Sequence, residues 1–187
     1  MGTRLGVCTL FGSLLSLVLL CGGCANFPPT TTVRLDPSLR EGGELPFVEV
    51  HVMAIPERDL SKWTQASMTQ YWAPNGASRS ANSMRRVLQL GPNRPSDVIK
   101  SNDPIWNKWG DISKGYLLIF ADVNGVANRD MINDPRRVWI PLNREDYNFP
   151  KEMTATIRRT GIDVSPRPTA KHKFLGMKVN GEPDDSR

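Results

Sequence analysis

The segment Phe47-Val48-Glu49-Val50-His51-Val52-Met53-Ala54-Ile55 has the clearest β-strand pattern in the chain. Small or branched apolar residues occupy every second position from Val48 to Ala54, with Glu49 and His51 between them. Successive side chains of a strand point to opposite faces, so this alternation predicts a strand with one buried face and one solvated face. On this pattern we expect His51 to face solvent rather than to bind a ligand.

Further short strands are predicted on both sides of this one. The uninterrupted apolar run Tyr116–Ala121 is typical of a central strand covered on both faces. Pro141 favours a sheet edge or a strand end, because proline cannot donate a ladder hydrogen bond. The other segments with strand character are 31–35, 86–90, 98–99, 137–142, 152–158 and 162–164.

The number of short strands and turns indicates the fold class. The sequence contains 15 prolines and 15 glycines, which favour turns between short strands. One helix is predicted from Asp59, as N-cap, to about Trp72, because Leu60, Trp63 and Tyr71 fall on one stripe at helical spacing. The sequence therefore predicts an all-β protein, a two-sheet β-sandwich with one short inserted helix.

Tryptophans and arginine pairs mark positions near the ends of these strands. Trp106 and Trp109 lie in a short polar segment and either cap an open end of the core or form an exposed patch. We expect them to cap the core. The arginine pairs at 85–86, 136–137 and 158–159 are expected to be solvated flanks of strands, with contact to an acidic patch of a partner or to anionic lipid headgroups as the alternatives.

The beginning of the chain has the layout of a bacterial export signal. Arg4 precedes an uncharged, leucine-rich run from Leu5 to Leu20, and small residues lead up to Cys24. The run falls short of the ~20 residues needed to cross a bilayer, so a permanent transmembrane helix is the weaker interpretation. The end of the run resembles the lipobox of bacterial lipoproteins, which implies that Cys24 is the lipidation site. An ordinary secretory signal is the alternative.

Ala25, directly after the lipidated cysteine, favours passage to the outer membrane by the sorting rule for lipoproteins of two-membrane bacteria.

The chain is thus expected to have four parts. The four parts are a lipoprotein signal peptide over residues 1–23, a tether over 24–32, a β-sandwich domain over 33–165 and a flexible tail over 166–187.

Several classes of function are disfavoured by composition. All three cysteines (Cys8, Cys21 and Cys24) lie in or at the edge of the signal, so the mature domain has no thiol for a disulfide, a metal or a nucleophile. The two histidines, His51 and His172, belong to no catalytic grouping, and no metal-ligand spacing or phosphate loop is present. We therefore expect no enzyme activity, no cofactor and no bound metal. A net charge of +5 together with export makes nucleic acid an unexpected partner.

The segment from Asp122 to Asp134 is rich in Asp and Asn, whose oxygens could bind calcium. Its spacing fits no calcium loop, because Gly125 comes too early after Asp122. Asx turns explain the composition more simply.

The order of elements along the chain resembles the type VI secretion outer-membrane lipoprotein family, TssJ. In that family a strand leads through a polar, glycine-containing loop to a valine strand headed by proline. An aromatic-bearing helix, further strands and a closing hairpin follow in the same order as here. The matching segments are Leu35-Asp36-Pro37, Glu44–Ile55, Leu60–Tyr71, Leu88–Pro92, Tyr116–Asp122, Arg137–Trp139 and Met153–Val164.

This resemblance implies a transthyretin-like sandwich, anchored by lipid in the outer membrane and facing the periplasm. It also implies a role in docking the periplasmic domain of the inner-membrane TssM component, which builds an envelope-spanning complex. The loop between the first two strands makes that contact in the family, and here it spans residues 36–46. Its charged residues are the expected partner-binding residues: Asp36, Arg40, Glu41 and Glu44.

Two other interpretations of the sequence remain open. The chain could be a general envelope sandwich lipoprotein that binds another protein or the cell wall outside any secretion system. It could also be a secreted enzyme that uses the Asp/Asn-rich loop with a metal.

Overall fold

Two four-stranded β-sheets pack face to face in the computed structural model, which describes residues 28–76, 84–110, 112, 114–124 and 134–171. The predicted two-sheet β-sandwich is therefore confirmed. The strands are β1 (Thr30–Leu35), β2 (Val48–Pro56), β3 (Arg86–Leu90), β4 (Ser96–Ile99), β5 (Gly115–Ala121), β6 (Arg137–Pro141), β7 (Tyr147–Asn148), β8 (Glu152–Arg158), β9 (Gly161–Ser165) and β10 (Thr169–Ala170). The helices are α1 (Leu60–Gln65), α2 (Met68–Trp72) and α3 (Ile105–Lys108), with 3₁₀ turns at Pro37–Leu39 and Glu57–Asp59.

The first sheet has the strand order β4-β1-β8-β9, and the second sheet has the order β3-β2-β5-β6. All neighbours are antiparallel except β1 and β8, which are parallel. The connection from β1 to β2 passes from the first sheet to the second. The strands β8 and β9 form the predicted closing hairpin, and β6, which contains Pro141, lies at a sheet edge as expected.

The second sheet is covered on both faces. Leu117 and Ile119 belong to the core between the sheets, whereas Leu118 and Phe120 belong to a second core beneath α1 and α2. This double cover explains the continuous apolar run of β5 and confirms that it is a central strand.

The predicted single helix is two helices with a break between them. Ala66 and Ser67 are extended, and the Ser67 hydroxyl accepts a hydrogen bond from the Gln70 N–H, which caps α2. Asp59 does occupy the N-cap position of α1, but its side chain makes no capping hydrogen bond. The prediction of one continuous helix was wrong because Ser67 is a strong N-cap that begins a new helix.

His51 is fully buried, so the prediction that it faces solvent was wrong. Its face of β2 is covered by α2: the ring of Trp72 lies 4.8 Å from the imidazole, centroid to centroid. Alternation along a strand shows which side chains share a face, but it does not show whether water or a helix covers that face.

The pair Arg136 and Arg137 is buried as well, contrary to the expectation of solvated flanks. Arg136 forms a salt bridge with Asp134, with 2.8 Å between Nη2 and Oδ2. Arg137 donates from Nη1 to the backbone carbonyls of Trp63 (2.8 Å) and Ala66 (2.7 Å), at the end of α1. The last carbonyls of a helix have no hydrogen-bond partner within the helix. The buried Arg137 guanidinium supplies such partners at the end of α1.

Trp106 and Trp109 are buried and cap the core, as expected. Their rings meet edge to face, with centroids 4.9 Å apart. The indole N–H of Trp106 donates to the Lys100 carbonyl, and that of Trp109 donates to the Met84 carbonyl. An exposed tryptophan patch is therefore excluded.

The observed limits of the sandwich differ from the predicted ones at both ends. Residues 30–32 belong to β1 rather than to the tether. Residues 169–170, placed in the tail by the sequence, form β10 and pair with β7. Residues 172–187 of the predicted tail lie outside the described residues.

Other predictions fall partly outside the described part of the chain. The signal region and Cys24 lie outside it, as does most of the Asp/Asn-rich loop, residues 125–133. Within the described ranges, no helix is long and apolar enough to cross a membrane. Nor do any three His, Cys, Asp or Glu side chains in those ranges lie close enough together to hold a metal ion.

Candidate docking surface

The loop that connects β1 to β2, residues 36–47, begins with a capped 3₁₀ turn. The Asp36 carboxylate accepts a hydrogen bond from the Ser38 N–H, with 2.9 Å between N and Oδ1. This bond is the main reason why the pKa of the Asp36 carboxyl lies below its ordinary value of 3.8, and Arg158 nearby acts in the same direction. Leu39 is buried in the core and holds the beginning of the loop to the sandwich.

The tip of the loop is a tight turn from Glu41 to Glu44. Two backbone hydrogen bonds close it, from the Glu41 N–H to the Glu44 carbonyl (2.9 Å) and from the Glu44 N–H to the Glu41 carbonyl (3.2 Å). Gly42 and Gly43 have φ values of +62° and +91°, which glycine adopts at no steric cost. Arg40 donates to the Gly43 carbonyl at 2.9 Å, so the tip has a defined shape.

Two arginines from the β8–β9 hairpin hold the loop from the other side. Arg158 donates to the Asp36 carboxylate at 3.3 Å. Arg159 lies 3.3 Å from the Glu41 carboxylate and donates to the carbonyls of Ser38 and Arg40. Both arginine side chains are exposed, as expected of strand flanks, but they are bonded to the loop rather than only solvated.

The four residues expected to bind a partner thus lie on one short, ordered loop. Arg40, Glu41 and Glu44 are exposed, and Asp36 is half-buried at the base of the loop. Sequence reasoning missed Arg158 and Arg159 as members of this surface. Arg158 and Arg159 carry a charge opposite to that of Asp36 and Glu41, which could have suggested ion pairs. The two groups are about 120 residues apart in sequence, however, so the sequence gave no reason to place them together.

Sequence reasoning also missed Phe47, which it assigned to the strand. The observed strand begins at Val48, and the Phe47 side chain is 82% exposed. It is directly opposite the turn between β3 and β4, which starts at Gly91. Phe47 therefore adds an aromatic ring to the charged surface of the loop.

The loop lies at one end of the sandwich and the beginning of the described chain lies at the other. β1 runs from Thr30 to Leu35, a length of about 17 Å at the usual rise of a strand. We call the end with residues 36–47 the loop end, and the end with Thr30 the tether end. The tether end carries α3 and a half-open cleft of about 340 Å³, which Pro28, Pro29 and Trp106 help to line.

No family model matches the chain, and no curated protein shows significant similarity to it. Solved structures similar to it include two lipoproteins. One is Serratia marcescens Lip, described as a membrane bound component of the type VI secretion system, with 11% identity and a TM-score of 0.42 over 78% of this chain and 100% of that one. The other is the type VI lipoprotein TssJ1 of Pseudomonas aeruginosa, with 12% identity and a TM-score of 0.42 over 78% of this chain and 98% of that one.

A third similar structure is the C-terminal domain of the type VI secretion protein TssM from EAEC. Its identity is 11% and its TM-score is 0.47, over 73% of this chain and 99% of that one. All these similarities are distant, and the fold assignment rests on the two sheets described above.

Proposed function

We propose that this chain is a lipid-anchored outer-membrane lipoprotein of a type VI secretion system. In this proposal Cys24 carries the lipid, the sandwich faces the periplasm, and the loop end docks the periplasmic domain of a TssM-type inner-membrane protein. The role is structural: the domain binds and positions a partner, and it catalyses no reaction.

The observation that carries this proposal is that the loop of residues 36–47 and Thr30, where β1 begins, lie at opposite ends of the sandwich. A chain anchored through Cys24 would have the membrane near Thr30, because six extended residues reach at most about 20 Å. The exposed Arg40, Glu41 and Glu44 lie at the far end of β1, where they would point into the periplasm. The order of elements that resembles TssJ supports the same assignment.

Anchoring would act by concentrating the domain at the membrane. A single acyl chain binds a membrane only marginally, whereas several chains hold a protein stably. Confinement to the surface raises the effective concentration of the loop for a partner that spans the periplasm.

The docking role is tested by capture of the periplasmic domain of the TssM-type protein from the same organism. Because Leu39 and Leu45 pack on the core, the test variant replaces only Arg40, Glu41 and Glu44 by serine and keeps the glycine turn. We expect this variant to lose capture. The control variant, Asn107→Ala with Lys108→Ala, changes exposed residues at the tether end and should capture normally. Unchanged capture by the loop variant would contradict the docking assignment.

The anchor is tested separately by Cys24→Ser. We expect this variant to be folded but absent from the outer-membrane fraction, because it lacks the acceptor thiol. If fractionation still found it in the outer membrane, the lipoprotein assignment would fail.

A further inference from the structure

Phe47 has the most exposed of the large apolar side chains in the described part of the chain. Its exposure is 82%, compared with 56% for Met84 and 41% for both Val87 and Val98. It is the last residue of the loop between β1 and β2 and lies at the loop end. Aromatic side chains are enriched at the centres of protein interfaces, where a polar rim surrounds them.

The inner side of the ring lies against the backbone of Gly91. A Cβ atom added to Gly91 would lie 2.6 Å from Cδ1 of Phe47, so the ring lies directly over the Gly91 backbone. The turn beneath it is closed by two backbone hydrogen bonds between Gly91 and Arg94, of 3.0 and 3.1 Å. A ring that already rests on a hydrogen-bonded turn loses less conformational freedom when a partner covers it than a fully solvated ring does.

Charged side chains surround this part of the loop end, and several of them already have partners within the chain. Glu41 lies beside Arg159, Asp36 lies beside Arg158, and Arg94 pairs with Asp97. Exposed pairs of this kind add little binding energy to a complex, but they form a polar rim that sets orientation. The apolar ring is then the part of the surface that gains most from being covered.

We propose that the Phe47 ring is the apolar anchor of the docking surface. The occupant it fits is a folded protein domain with an apolar pocket wide enough for one phenyl ring and polar groups around the rim of that pocket. This proposal rests on the proposed function and adds to it the residue and the chemistry through which the partner binds.

The test measures the dissociation constant between the full-length lipoprotein, purified in detergent, and the periplasmic domain of the TssM-type protein from the same organism. Phe47→Ala should weaken binding by about tenfold or more, as expected for an anchor residue. Val98→Ala removes an exposed apolar side chain from β4 in the other sheet, so it should change affinity by less than about twofold. Phe47→Ala should leave the unfolding midpoint unchanged, because the side chain is mostly exposed.

A second variant tests whether the position of the ring matters. Gly91→Ala should weaken binding because its methyl group must displace the Phe47 ring. Combined with Phe47→Ala, it should cause no further loss, because the ring it displaces is gone. Full additivity of the two losses would contradict the anchoring role of the ring.

The outcomes separate this proposal from the proposed function. If the Arg40, Glu41 and Glu44 variant loses binding and Phe47→Ala binds normally, the anchor proposal is overturned and the docking function stands. If both variants bind as tightly as the wild type, or if the wild type does not bind, the anchor proposal and the docking function both fail. A wild-type dimer that Phe47→Ala converts to a monomer would assign the ring to a second copy of this chain and would also overturn the proposal.

Discussion

The imidazole of His51 connects two polar side chains inside the second core. Its Nε2 lies 2.7 Å from the Glu49 carboxylate, and its Nδ1 lies 2.6 Å from the Tyr71 hydroxyl. In the neutral ring, Nε2–H donates to Glu49 while Nδ1 accepts from the Tyr71 O–H. Glu49 also accepts from the Gln89 amide at 2.8 Å, so the network extends from the core to the surface.

Replacing His51 by leucine should destabilise the protein substantially. Leucine fills most of the space but leaves the buried Tyr71 hydroxyl without this partner, so we expect a loss of about 2 kcal/mol or more in the free energy of unfolding. Denaturant unfolding measures it. The matched control is Gln89→Leu, which removes an exposed partner of the same Glu49 and should cost less than about 1 kcal/mol. Equal effects of the two variants would show that the buried part of the network has no special role.

Asp36 should make folding stability depend on pH in the acid range. Its pKa is lowered in the folded protein, chiefly by the Ser38 N–H, so the folded state favours the ionised carboxylate. The resulting stabilisation is fully present above the ordinary pKa of 3.8 and is lost as the pH falls through the lower, folded value.

Asp36→Asn removes this titration while keeping an oxygen that can accept the Ser38 N–H. The stability difference between wild type and variant should therefore be largest near neutral pH and should shrink below about pH 4. Unfolding curves across that range measure the difference. A difference that stays constant with pH would contradict this account of Asp36.

Some residue environments could be predicted from the sequence and others could not. The buried face of Val48, Val50 and Val52 followed from alternation alone, because the period of a strand is fixed by its backbone. The burial of His51 and Arg137 depends on α1 and α2 lying over the second sheet. That is a tertiary arrangement, and nothing in the local pattern of either strand encodes it.

At the scale of elements, α3 closes the tether end of the core. Trp106→Ala should cost about 3–5 kcal/mol, because it removes a buried ring, its edge-to-face contact with Trp109 and its hydrogen bond to Lys100. Asn107→Ala changes an exposed neighbour on the same helix and serves as the control. Thermal or denaturant unfolding measures the stability of both variants. A decrease below about 1 kcal/mol in the free energy of unfolding of Trp106→Ala would show that α3 is peripheral to the core.

The strands were easier to predict than the helices. Each main strand carries an alternating or continuous apolar pattern that its position in the sheet explains. The break at Ser67 was harder to see, because the apolar stripe continues across it from Trp63 to Tyr71. The short strand β10 was not predicted either, because its two residues are too few to show an apolar pattern.

At the scale of the whole molecule, the sandwich separates the loop end from the tether end, and the proposed function assigns docking to the first and anchoring to the second. The sequence alone indicated the loop and its charged residues through a resemblance of element order. It could not place Arg158 and Arg159 against that loop, nor show that Phe47 is exposed over Gly91. The first depends on the pairing of β1 with β8, and the second on the pairing of β2 with β3. The position of the loop relative to Thr30, at the other end of β1, likewise follows only from the topology.

In-cell photo-crosslinking tests this two-ended arrangement most directly. A photoreactive amino acid is placed either at Glu44, exposed at the loop end, or at Lys108, exposed on α3 at the tether end. We expect the protein with the probe at Glu44 to crosslink to the proposed TssM-type partner, and the one with the probe at Lys108 not to do so. Crosslinking to that partner from Lys108 but not from Glu44 would contradict the two-ended arrangement.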